Sequence, residues 1–235
     1  MAQFDDARRW LQIAAQHDVY TWSVQQDHFF DLRMVAFRLA DGTLAVYSPV
    51  GTAHETVLDT LSKFGPVSTL VAPNHFHNLG LRPFLARFPA ARVVAAAQAI
   101  PRIVKVTGLK VEPVLSIAAL LPPEVRVVEP AGLRTGELWL LVDTVKPGRI
   151  LVACDSYFNM AEVRRSAFGA VLWLTGGAPG LRVSRVFRMI GQQKPKVYRD
   201  WIGACFREFS PRILIPSHGD IVESDTLTHD LLKLL

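Results

Sequence analysis

Three apolar runs in this chain stop abruptly on residues that can ligate a metal: "STLVAPNHFHNLG", "RILVACDSYF" and "RILIPSHGD". An apolar run of this length reads as a buried strand, and the end of such a strand is where a rigid sheet hands side chains to a shared site. Three such ends constrain the fold more than any other feature, because they ask for a layered structure in which strand termini meet. Asp155 directly follows "ILVAC" and needs a partner, a helix-capping role or a metal, since a carboxylate beside a buried strand is costly to leave alone. His218, on the turn "SHGD", reads either as a turn residue bonded to backbone or as a ligand. His75 and His77 fall on one face if the strand continues through them. Histidine together with aspartate suits zinc, iron or manganese.

The rest of the chain supplies the layers. "FFDLRMVAFRLADGTLAVYSPVG" reads as two strands joined at Asp41-Gly42, a pair that tolerates the positive φ of a tight hairpin. "AHETVLDTLSKFG" reads as a helix with Val57, Leu58, Leu61 and Phe64 on one face and Gly65 as its stop. "NLGLRPFLARFP" reads as a second helix with Pro83 in its first turn or at a kink. "ARVVAAA", "EVRVVEP", "ELWLLVDT" and "GRILVACD" read as strands, residues 181–191 and 196–209 as helices, and "DTLTHDLLKLL" as a closing amphipathic helix. The apolar insert "AFGAVLWLTGG", 167–177, reads as a buried helix, with a lid or a dimer patch as alternatives. Strands covered by helices predict a layered α/β or α+β architecture.

With 235 residues, half of them hydrophobic, the chain is expected to form a single domain over 1–235. No apolar run approaches the roughly 20 residues of a membrane helix. The start, "MAQFDDARRWLQIAAQ", has early aspartates and no apolar signal region. The two cysteines, Cys154 and Cys205, make no disulfide framework, so a cytoplasmic, reducing setting is expected. A net charge of +5 invites a nucleic-acid reading. The basic residues are scattered, however, as Arg8-Arg9, Arg164-Arg165 and a zone at 182–199, and no nucleic-acid motif accompanies them. Arg182, Arg185 and Arg188 recur at helical spacing and read as one solvated basic face.

The order of the strand ends resembles the metallo-β-lactamase superfamily, over roughly residues 29–222. "LVACDSYF" looks like the family's aspartate segment, "LIPSHGD" like its last histidine segment, and "DGTLAVYSPVG" like its early strand. The resemblance implies an α+β, four-layer αββα sandwich with metals at the sheet edges. Two registers fit the first motif. In one, His75 and His77 are the family's first two histidines, but the glycine-leucine pair expected near Arg82-Pro83 is absent. In the other, which is preferred, Leu79-Gly80-Leu81 is the glycine-leucine element and the motif falls on Ala72, Asn74, Phe76 and His77. Leu133 then stands where a further histidine belongs, Phe76 replaces the family's aspartate, and Ser48 replaces the early-strand aspartate. "YSPVG", "VAPNHFHN" and "IPSHGD" also resemble one branch of the superfamily, which implies fold and ancestry rather than a reaction.

What the resemblance leaves is one metal position, with His77, Asp155 and His218 as ligands and an open fourth place. Zinc is the first choice, iron or manganese the next. His75 is expected as a fourth ligand or as support, and Asp155 or Asp220 as the proton acceptor. The function expected is a mononuclear metal-dependent hydrolase of an ester-like or phosphoester small molecule. The alternative is a metal-free module that binds a ligand or partner on the same scaffold, motivated by the ligands lost at Ala72, Asn74, Phe76 and Leu133. A metal-free enzyme using Cys154 is a third reading. Convergence of His77, Asp155 and His218 favours the first, whereas a Phe76 ring between them favours the second. The sequence leaves the oligomeric state open.

Overall fold

A computed structural model describes residues 10–14, 18–24, 31–162 and 167–235. Two sheets carry the architecture. The first has seven strands in sequence order: β1 (Leu11–Ala14), β2 (Val19–Val24), β3 (Leu32–Arg38), β4 (Leu44–Tyr47), β5 (Val67–Ala72), β6 (Arg92–Ala95) and β7 (Glu112–Pro113). Its first four strands are antiparallel neighbours, and β4 to β7 run parallel. The second sheet is built from β8 (Val125–Val128), β9 (Trp139–Val142), β10 (Ile150–Ala153), β13 (Ile213–Pro216) and β14 (Val222–Glu223), in the order β14-β13-β10-β9-β8. A small ribbon of β11 (Phe158–Met160) and β12 (Gly180–Arg182) stands apart from both.

The central strands of the second sheet, β9, β10 and β13, read as unbroken apolar runs because both faces are covered. Leu140, Val142, Ile150, Val152, Ile213 and Ile215 share one apolar cluster with the first sheet. Their alternating neighbours Trp139, Leu141, Leu151, Ala153 and Leu214 join a second cluster on the opposite face. That second cluster is completed by helices α5 (Pro195–Phe209) and α6 (Leu227–Lys233). The first sheet is covered by α1 (Glu55–Phe64), α2 (Leu81–Arg87) and α3 (Ile100–Thr107), which bury Val57, Leu61, Phe84 and Ile103 in the first cluster. The layers are therefore helix, sheet, sheet, helix, as expected.

The hairpin at Asp41-Gly42, the α1 face and Pro83 in the first turn of α2 all match the sequence reading. Two readings are corrected. Residues 181–191 are not one helix: Arg182 lies in β12, and Phe187–Gly191 forms a short π-helical turn. Arg182 thus shares no helix face with Arg185 and Arg188, because it belongs to the ribbon that pairs with β11. The apolar insert forms helix α4 (Ala167–Leu174), and three of its large apolar side chains are exposed rather than buried: Trp173 at 62%, with Val171 and Leu174 also out. Its own sequence pattern sets out no single apolar face. Arg8, Arg9, Arg164 and Arg165 lie outside the described residues. Strands β1 and β2 were not legible from sequence.

Two residues reaching across the sheets fix where the strand ends meet. The Tyr47 hydroxyl donates to the Leu138 carbonyl at 2.7 Å. Arg33, buried in β3, donates through its backbone N–H to the Ser217 carbonyl and through its guanidinium to the Gly219 carbonyl at 2.7 Å. The first sheet therefore grips the turn around His218. Glycine is required at 219, where φ is +95° and a Cβ would collide with the Asn159 carbonyl.

Candidate metal centre

The site forms where the ends of β5, β10 and β13 come together. β10 and β13 are parallel neighbours, so Asp155 and His218, both just past their strands, leave the sheet side by side. His77 arrives from the first sheet, in the loop after β5. That loop does not continue the strand. The Asn74 side-chain oxygen accepts the N–H groups of Phe76 and His77, at 2.7 and 3.1 Å, and turns the chain back. His75 and His77 therefore part company, contrary to the one-face expectation: the His75 ring packs edge-on against Phe76, while His77 turns inward.

Three donor atoms converge. His77 Nε2 lies 3.2 Å from His218 Nε2, His218 Nε2 lies 3.2 Å from Asp155 Oδ1, and His77 Nε2 lies 3.3 Å from the same Oδ1. Such spacing leaves no room for a ring between them, and Phe76 instead lines the cleft above, with the Arg102 guanidinium 5.1 Å from its centroid. Each of the three side chains is held at its other polar atom. Asp155 Oδ2 accepts from Asn74 Nδ2 at 2.7 Å. His77 Nδ1 lies 3.0 Å from the Ser48 hydroxyl. His218 Nδ1 lies 3.0 Å from the Asp31 carbonyl, and the Phe158 ring stacks on the imidazole, 5.0 Å away and 9° from parallel. Ser48 holds this position at a positive φ of 56°, a conformation that costs a non-glycine residue about 1–3 kcal/mol.

The tautomers follow from these partners. A carbonyl oxygen only accepts, so His218 Nδ1 carries its proton there, and the neutral ring presents a lone pair at Nε2. That lone pair faces a carboxylate oxygen and a second imidazole nitrogen, an arrangement complementary to a cation. Burial works to raise the Asp155 carboxyl, but its two imidazole neighbours, His77 first and then His218, outweigh it and hold the group well below the usual carboxylate range. Burial, helped by the Arg102 charge, pushes His75 down.

Of the residues singled out from sequence, His77, Asp155 and His218 are together and His75 stands aside. Asp220 is exposed and does not line the cleft; its backbone N–H is bonded to the Asn159 carbonyl. Asp155 caps no helix, since strand β11 follows at Phe158. At the other registered positions, Ala72 and Leu133 are buried in the apolar clusters and offer no imidazole. The Cys154 thiol lies near enough that His77, Cys154 and Asp155 donor atoms are all within 4.8 Å of one another. Burial pushes that thiol up, which keeps it protonated, and Asn74 also donates toward its sulfur at 3.4 Å.

Two residues gain importance that the sequence did not assign. Asn74 looks like a lost ligand but is the clamp of the site, holding Asp155 with its amide nitrogen and turning the His77 loop with its oxygen. Glu137 is fully buried, and its Oε1 accepts the backbone N–H groups of Cys154 and Ser156 and the indole N–H of Trp139, at 3.1, 3.2 and 3.0 Å. It thereby fixes the backbone on both sides of Asp155. Only the single acidic residue in the apolar run "GELWLLV" signals it in sequence.

No protein-family model and no curated protein matches the chain. Solved structures do match. A metallo-β-lactamase from Pontibacter korlensis aligns at 11% identity and a TM-score of 0.59, covering 96% of this chain and 97% of that one. The DIM-1 metallo-β-lactamase aligns at 11% identity and 0.62, covering 96% and 95%. A flavo di-iron protein mutant from Thermotoga maritima aligns at 12% identity and 0.56, covering 96% of this chain and 60% of that one. The chain has the metallo-β-lactamase fold. No helix among the described residues is long and apolar enough to cross a membrane.

Proposed function

From this fold and the cluster at its sheet edge, we propose that the protein is a mononuclear metal-dependent hydrolase of an ester-like or phosphoester small molecule. The observation that carries the proposal is the triangle of His77 Nε2, Asp155 Oδ1 and His218 Nε2, with edges of 3.2–3.3 Å. Tetrahedral zinc with bonds of about 2.0 Å separates its ligand atoms by about 3.3 Å, so the donor set fits that ion. Iron or manganese takes the same ligand types. A divalent ion supplies Lewis acidity toward the scissile carbonyl or phosphoryl group and activates water.

The chain's own residues do the rest. His77, Asp155 and His218 hold the ion; Ser48, Asn74 and the Asp31 carbonyl aim them. Among the described residues Asp155 is the one carboxylate lining the cleft and is the proton acceptor within reach, whereas Asp220 is out of it. Elemental analysis of protein purified without added metal or chelator is expected to find near one equivalent of zinc, iron or manganese. No bound metal, and none taken up on addition, would sink the proposal and favour the metal-free binding module.

The aiming role of Ser48 has its own test. Ser48→Ala removes the hydroxyl from His77 Nδ1 and is expected to weaken metal binding about 10–100-fold. Competition against a chromophoric chelator measures this, and unchanged affinity would remove Ser48 from the account.

A further inference from the structure

The cleft above the cluster is apolar in a way that discriminates between substrate classes. Its volume is about 420 Å³, within the range of small-molecule sites. Leu32, Val50, Phe76, Leu79, Phe158 and Ile190 form its walls. Among the described residues its polar side chains are those of the cluster and of Ser48, Thr135 and Ser184. Among the described residues no lysine or arginine lines it. Even Arg102, beside Phe76, is not part of the lining.

A phosphoryl group spreads charge over several oxygens and calls for cationic side chains or convergent N–H donors around it. Beyond a single ion, these walls would strip water from such a group and return nothing. An uncharged carbonyl on a hydrocarbon chain has the opposite needs: one electrophilic contact at the base, and apolar contact elsewhere. The mouth is apolar too, with Leu79 84% exposed and Ile190 half-exposed.

Resting on the hydrolase reading, we infer that the substrate is an uncharged carboxylic ester, thioester or lactone with an apolar acyl chain, and not a phosphoester. Water adds at the carbonyl carbon, and the C–O or C–S bond breaks. The proton passes to the leaving oxygen or sulfur, giving an acid and an alcohol or thiol without any redox partner.

The test uses zinc-loaded protein and p-nitrophenyl acetate, butyrate, hexanoate and octanoate beside p-nitrophenyl phosphate. Binding of 2-alkanones of matching length, which cannot be hydrolysed, is measured in parallel. The expected result is a rise in kcat/KM of about fourfold per methylene, the factor for one buried CH₂, with the same trend in ketone binding and no cleavage of the phosphate. Ile190→Asp, on the half-exposed rim, is expected to cut the octanoate-to-acetate ratio at least about tenfold. Turnover that is flat with chain length, or faster on the phosphate, would overturn the substrate class and leave the hydrolase standing. Graded ketone binding with no turnover of any ester would overturn the hydrolase and leave an apolar-ligand cleft. Ungraded ketone binding with no turnover would overturn both.

Discussion

Asp155→Ala is expected to abolish metal binding, taking bound metal from near one equivalent to less than about a tenth, and to abolish hydrolysis with it. The reason lies in how much converges on this side chain. Its Oδ1 is 3.2 and 3.3 Å from the two imidazole nitrogens, and it is the only carboxylate in the triangle. Without it, two neutral imidazoles remain, which is too few ligands for a stable zinc site. Asn74 also loses the acceptor of its 2.7 Å hydrogen bond. The measurement is elemental analysis of the variant beside wild type, with circular dichroism to show that both are folded. His218→Ala is expected to behave alike, and metal retained in both variants would move the site elsewhere.

The second large effect is expected at Glu137, and it is read in stability rather than metal. Glu137→Ala leaves two buried donors without an acceptor, the N–H groups of Cys154 and Ser156, and leaves the Trp139 indole only its longer 3.3 Å bond to the Ser156 hydroxyl. At about 1–3 kcal/mol for each of the two, the loss is on the order of 2–6 kcal/mol, a large share of a domain's stability. Glu137→Gln keeps an accepting oxygen and should cost far less.

The pH dependence separates the two forms of the carboxyl. Burial, and next the Asp155 charge, push Glu137 from its usual 4.5 up to about 7, and its second oxygen, buried without a partner, is where the proton sits. The folded protein therefore binds this proton more tightly than the unfolded chain does. Its contribution to stability is full below 4.5 and is lost as pH rises through about 7. In metal-free protein the loss is on the order of 3 kcal/mol, measured by urea unfolding between about pH 5 and 8. The slope should vanish in Glu137→Gln, and its persistence there would assign it to another group.

How much of this was legible in sequence depends on whether the determining contacts are local. His77, Asp155 and His218 were readable because each follows an apolar run, and a strand end is recognisable from its own residues. The α1 face and the Asp41-Gly42 hairpin were readable for the same reason. Asn74 was read as a loss because its value lies in a bond to Asp155, 81 residues away, that no local pattern contains. Glu137 was silent because an isolated acid in an apolar run looks like an exposed one until its buried donors are placed. The arginines of 182–188 obeyed helical spacing, but a strand partner at β11 prevailed over it. Helix α4 was read as buried from composition alone, whereas burial is decided by whether one face can dock.

The triangle joins two halves of the molecule. His77 rides on the first sheet, and Asp155 and His218 on the second, close to where Arg33 already reaches across. On the proposed reading, an ion held there would act as a clasp between the sheets, so occupancy would set lifetime as well as catalysis. At free metal a hundred times Kd the folded state gains about 2.7 kcal/mol, and a difference of that size changes how often a chain opens to proteases. Metal scarcity would then thin the population of this protein through turnover before it slowed any surviving molecule.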